Sequence, residues 1–187
     1  MRKEPLTILI YRMNHNLFSE GDEIEAQLVA DLIKQVDNIG IKSANDLSDR
    51  IAEYQPFMMS LILGYTQDVE PEFMDDIIKM FFVVFLFFEK KTNIKKKKID
   101  LSDFEIFQEK NFQFLNYLSG EQAKGNRMDV NSQNLSNIKF KSLFTGILFL
   151  AKNQPRFKKM NPELQGVVIL GMKILIECLE WNLLDKK

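Results

Sequence analysis

The strongest pattern in the chain lies between Glu70 and Lys91. Glu70-Pro71-Glu72 places a proline near a first helical position, with acids in the first turn. Apolar residues then fall at helical spacing, and from Met80 to Phe88 every residue is apolar. A helix that is apolar on all sides has to be enclosed by other helices. Residues 70–91 are therefore expected to organise the fold. The run from Ile77 to Phe88 spans about 12 residues and contains Lys79, whereas crossing a bilayer takes about 20 apolar residues. A buried core helix is expected there, and no transmembrane segment.

The same signals mark the other elements. Asn161-Pro162-Glu163 gives cap, proline and acid in the preferred order, opening a helix expected to run to about Leu184. On it Val167, Val168, Gly171, Leu175 and Cys178 lie near one face, and Gly171 would admit close approach by another helix. Asp22-Glu23-Ile24-Glu25 has the spacing of a capping box. The stripe Ile24, Leu28, Val29, Leu32, Ile33 and Val36 follows it, and Gly40 is expected to stop that helix through a positive φ. Ser43-Ala44-Asn45-Asp46 restarts the chain, and Leu47, Ile51 and Tyr54 follow at helical spacing. Pro56 breaks this helix and opens another over Phe57 to Tyr65, which Gly64 and Thr66-Gln67-Asp68 should end.

Beyond the central helix, Ser102-Asp103-Phe104-Glu105 reads as a further capping box. The helix it opens should bury Phe104, Phe107, Phe114, Leu115 and Leu118, with Gly120 as its stop. A helix from about Leu135 to Asn153 carries Ile138, Leu143, Ile147, Leu148 and Ala151. Near the N-terminus, Leu6, Leu9, Ile10, Met13 and Leu17 fit a helix face, while Leu6, Ile8 and Ile10 alternate as in a strand. Helix is preferred over residues 6–18 because no partner strand appears elsewhere. Residues 119–134 are rich in Gly, Asn, Ser and Gln and form the longest expected loop, the place for any subdomain boundary.

The expected fold is all-α: a single globular domain over residues 1–187, with about six or seven helices packed ridges-into-grooves around a buried Phe-rich central helix. At 187 residues such a chain buries about 70% of its unfolded surface and needs no disulfide or metal staple. Composition adds one feature. The chain has 16 Phe and 9 Met but a single Trp, a set that fills gaps between helices or lines an apolar pocket. The net charge of −1 generates no global attraction for nucleic acid or an anionic membrane. The apolar run from Leu6 to Tyr11 is too short for a signal-peptide core. The single Cys178 excludes an internal disulfide, and together these point to a reducing, cytoplasmic setting.

Candidate chemistry is sparse. His15 is the sole histidine, so zinc sites built from several His or Cys ligands are excluded and any His-dependent nucleophile would rest on this residue. Cys178 sits in an apolar run without neighbouring cations, as a buried small hydrophobe would. Asp68, Glu70, Glu72, Asp75 and Asp76 cluster, as do Asp46 with Asp49 and Asp100 with Asp103. Acids favour helix N-termini on dipole grounds, and that accounts for all of them without a metal. Asp129-Val130-Asn131-Ser132-Gln133 opens like a calcium loop, but Asn134 and Phe140 occupy the positions that need Gly and Glu. No Gly-rich phosphate loop is present.

Lys90, Lys91, Lys95, Lys96, Lys97 and Lys98 form the one basic run. It follows a helix C-terminus, where cations are stabilised, and lacks the interleaved aromatics of a nucleic-acid surface. It is carried as a solvated connector and as the candidate patch for docking an acidic partner. No residue is assigned a catalytic, cofactor or metal role. Missing catalytic chemistry favours a non-enzymatic helical interaction module, acting on a protein partner or a second copy of itself. The alternative is a binding protein for an apolar small molecule held between Phe- and Met-rich helices. A third reading, a carboxylate-based metal enzyme, requires the acids of residues 68–76 to converge with acids from another helix.

Overall fold

The structure, a computed structural model, describes residues 20–120 and 138–184. The expected element at residues 6–18, with His15, lies outside them, as do residues 121–137 and the calcium-like stretch that begins at Asp129. The helices are α1 (Glu20–Asp37), α2 (Ile41–Tyr54), α3 (Pro56–Asp68), α4 (Pro71–Lys91), α5 (Leu101–Gly120), α6 (Lys141–Asn153) and α7 (Pro162–Leu184), with a 3-10 turn at Phe157–Lys159. Among the described residues there is no strand.

Proline sets three of the starts. Pro56, Pro71 and Pro162 each stand at the first position of their helix, where a missing N–H leaves no bond unmade. At α7 the expected cap is present, with Asn161 Oδ1 accepting the Glu163 amide at 2.8 Å. Elsewhere the capping-box spacing misplaced the starts. α1 already runs through Asp22, whose backbone carbonyl accepts the Ser142 hydroxyl at 3.0 Å. Gly40 has φ −81°, not a positive φ, and serves as the N-cap of α2 ahead of Ser43. The cap of α5 is Asp100, whose carboxylate accepts the Asp103 amide at 2.9 Å and the Ser102 hydroxyl at 2.7 Å. α3 continues through Gly64 to Asp68, because a helical glycine costs only about 1 kcal/mol and neighbouring packing outweighs it.

α4 is the axis of the molecule. It packs against α1, α3, α6, α7 and the 3-10 turn, and Met80 to Phe88 are each at most 4% exposed. Full enclosure explains how nine successive apolar residues are tolerated on one helix. Phe87, Phe88 and Phe140 meet edge to face, the closest pair having centroids 4.9 Å apart. The buried apolar side chains of all the helices form one continuous cluster. Two expected members face outward instead: Ile24 is 76% exposed and Val167 56%. No helix among the described residues is long and apolar enough to cross a membrane.

α1 and α6 approach closely at Gly146, where an added methyl would run into the Val29 side chain. Gly146→Ala should therefore destabilise the fold by about 1–3 kcal/mol through overpacking, although alanine is the better helix former. Urea denaturation tests this, and a gain in stability would mean that α1 moves away at no cost.

The connector from Thr92 to Asp100 is anchored from beneath. The Gln55 side chain is fully buried at the α2–α3 junction. Its Nε2 donates to the carbonyls of Ile94 (2.7 Å) and Lys97 (2.8 Å), and its Oε1 accepts the Ile99 amide (3.0 Å). Ile94 and Ile99 insert into the core on either side of the exposed lysines. One amide thus satisfies three backbone groups that burial would otherwise leave unpaired.

Candidate functional site

A cleft of about 410 Å³ lies between α3, α5 and α7 and is open to solvent along one side. Its walls follow from helix periodicity. α5 contributes Phe104, Gln108 and Phe112 at intervals of four, while α7 contributes Val167, Leu170, Gly171 and Ile174. α3 supplies Ser60, Leu61, Gly64, Tyr65, Gln67 and Asp68. The surfaces are largely apolar, and Phe112 and Val167 remain 43% and 56% exposed.

Two glycines shape this space. Gly171 has no side chain because the Tyr65 hydroxyl stands where its Cβ would be, so α3 closes on α7 through a phenol. This is the close approach the sequence suggested at Gly171. Gly64 borders the cleft with nothing within 4 Å of the point where a methyl group would stand, so space lies open above it. The Tyr65 ring packs on Phe81 of α4 with centroids 6.1 Å apart. Burial pushes the phenol up to about 12, so its hydroxyl keeps its proton. Among the described residues that hydroxyl has no hydrogen-bond partner, and on a half-buried residue it is not itself fully enclosed.

A second polar cluster lies at the α5–α7 contact. Lys173, Glu177 and Glu180 project from one side of α7 at i, i+4 and i+7, and each is at most 5% exposed. Lys173 Nζ donates to Asn111 Oδ1 at 2.5 Å, and Asn111 Nδ2 donates to Glu177 Oε2 at 2.6 Å. Glu177 Oε1 lies 3.0 Å from Lys173 Nζ, close enough for an ion pair. It makes no aligned hydrogen bond, the sole buried side-chain polar atom so placed among the described residues. Burial lowers the Lys173 pKa from its ordinary value, against the attraction of Glu177.

Glu180 holds the start of α6. Its carboxylate accepts the Phe140 amide at 2.7 Å and the Lys139 amide at 3.1 Å. Burial nevertheless pushes its pKa up to about 7 from 4.5, with Glu177 adding to the rise and Lys139 opposing it. The folded state therefore binds a proton that the unfolded state does not between these values. The resulting stability is full below pH 4.5 and is lost as pH rises through about 7. Denaturation of the wild type and Glu180→Gln across that window should show the difference moving in favour of the wild type as pH falls. A difference independent of pH would remove Glu180 as the titrating group.

The lysines of the basic run divide. Lys91 pairs with Glu25 at 2.9 Å, Lys95 lies over the Tyr54 ring at 4.1 Å, and Lys97 meets Asn182 and, at 3.9 Å, Asp103. Lys90, Lys96 and Lys98 are exposed and have no partner among the described residues. The acids of residues 68–76 also separate. Asp75 pairs with Arg156 at 3.0 Å, and buried Asp76 accepts the Phe157 amide at 2.9 Å. Among the described residues no three His, Cys, Asp or Glu side chains are grouped to hold a metal ion. Cys178 is buried, its thiol pushed up to about 12 chiefly by desolvation.

Sequence reasoning passed over Tyr65, Asn111, Lys173 and Glu177. Lys173 and Glu177 did leave a signal, a charge pair at i, i+4 inside the apolar run of the last helix. Tyr65 left none. Comparison with known proteins finds no matching family model, no matching curated protein and no matching solved structure.

Proposed function

We propose that this protein binds a small apolar or amphipathic molecule in the cleft between α3, α5 and α7. The observation that carries this reading is the protonated Tyr65 hydroxyl, without a partner among the described residues, in a largely apolar cleft of about 410 Å³. Small-molecule sites have this form: a cavity of a few hundred cubic ångströms, lined mainly by apolar side chains, with few polar groups to orient the guest. A tyrosine hydroxyl both donates and accepts, so one without a protein partner can orient a polar group of the guest of either kind.

Native mass spectrometry of protein purified from its own host tests the reading. The wild type should carry an adduct of small-molecule mass. Gly64→Phe, which places a ring in the open space beside the cleft, should lose it. Absence of an adduct from the wild type, or equal occupancy in Gly64→Phe, would overturn the proposal.

A second reading is a helical module that docks a protein partner, and a separate face supports it. Trp181 on α7 is 49% exposed and meets Phe107 of α5 at 6.5 Å. Half-exposed tryptophan is the residue type most enriched where partners bind. Trp181→Ala should then abolish any self-association or partner capture seen with the wild type. Unaltered association in that variant would remove this face.

A further inference from the structure

The charges around the cleft bear on what it accepts. Asp68 is the only charged residue among the described residues that line it, and no Lys, Arg or His accompanies it. The Asp68 carboxylate has no ion-pair partner among the described residues. It is also the last residue of α3, whose final turn contains no basic side chain. Asp68 thus does not stand at a helix start, as the acids of residues 68–76 were expected to: a helix C-terminus carries partial negative charge from its unpaired carbonyls, so an acid there is repelled by its own helix. Asp68 and the end of α3 therefore make one end of the cleft electronegative. The other walls include the rings of Phe104, Phe112 and Tyr65, whose faces attract cations and repel anions.

From this geometry we infer that the cleft selects a cationic amphiphile, an alkyl or aromatic body bearing an ammonium group, over a carboxylate of the same size. This rests on the small-molecule reading of the cleft. The apolar body lies along Leu61, Leu170 and Ile174, and the ammonium faces Asp68. A fatty acid would bring its carboxylate to an end of the cleft that offers no cation. Desolvating an anion without a counter-charge is costly. The net charge of −1 is too small for a whole-molecule field to produce the preference.

Calorimetric titration of the full chain with 1-decylamine, 1-decanol and decanoate at pH 7 tests the inference at constant chain length. Decylamine should bind about tenfold or more tighter than decanoate, as one favourable charge contact replaces one unfavourable contact. Decanol should fall between them. Asp68→Asn, an exposed substitution at a helix end, should bring decylamine to within about threefold of decanol while leaving decanol binding in place. Gly64→Phe should weaken all three.

Decanoate binding as tightly as decylamine, or an amine preference that persists in Asp68→Asn, would overturn the charge inference and leave the cleft reading standing. Failure of all three probes to bind, or binding unchanged in Gly64→Phe, would overturn the cleft reading itself.

Discussion

Replacing Phe85 with alanine should lower the unfolding free energy by about 3–5 kcal/mol, the range for removing a large side chain from a packed core. Phe85 is fully buried in the half of α4 that is enclosed on every side. The Arg50 guanidinium lies over its ring at 5.9 Å and is itself held by Glu89 of α4 at 2.6 Å. The ring therefore packs under a charge pair whose partners come from two helices, so collapse around the vacated volume is restricted on that side. Chemical denaturation measures the effect. A loss below about 1 kcal/mol would place Phe85 with surface substitutions and contradict the enclosure of α4. Phe112→Ala is the comparison, because that ring is 43% exposed at the cleft mouth. It should cost clearly less than Phe85→Ala, since the area it removes from water on folding is smaller.

The central helix was legible in the sequence because its information is local and redundant. Pro71, Glu72 and nine consecutive apolar residues all point to one buried helix. Helix starts were less legible where the signal was a spacing alone. A short polar residue three positions before an acid also occurs within helices, since i and i+3 are neighbours on a helix surface. Asp22 is such a case, inside α1 and not ahead of it. At α5 the spacing was right but displaced, with Asp100 in place of Ser102 as the acceptor. Gly40 misled through its conformational freedom: it occupies an ordinary extended conformation at φ −81°. The cleft was invisible for a different reason. It exists only where Phe104, Tyr65 and Gly171, on three helices far apart in the chain, are brought together. The excess of Phe suggested an apolar space, but no periodicity could place it.

Lys173→Met should destabilise the protein by about 3–5 kcal/mol, because it leaves the Glu177 carboxylate buried without its counter-charge. Glu177 would keep the Asn111 bond at 2.6 Å, but Asn111 Oδ1 would lose the donor that Lys173 supplies at 2.5 Å. Methionine preserves the length of the lysine stem, so the loss reports charge and hydrogen bonding more than volume. The informative variant is Lys173→Met combined with Glu177→Met. If the pair is a buried ion pair offset mainly by its own desolvation, removing both charges should recover most of the stability lost with one. The coupling in the double-mutant cycle should then be at least about 1–3 kcal/mol. Singles that simply add would show that Lys173 and Glu177 do not act as a unit. Burial lowers the Lys173 pKa, the direction expected when desolvation of the ammonium outweighs the attraction of Glu177. The pair joins α7 to Asn111 of α5, and those two helices form two of the three walls of the cleft. A double variant that is as stable as the wild type yet binds decylamine more weakly would assign this cluster to holding the two walls in register.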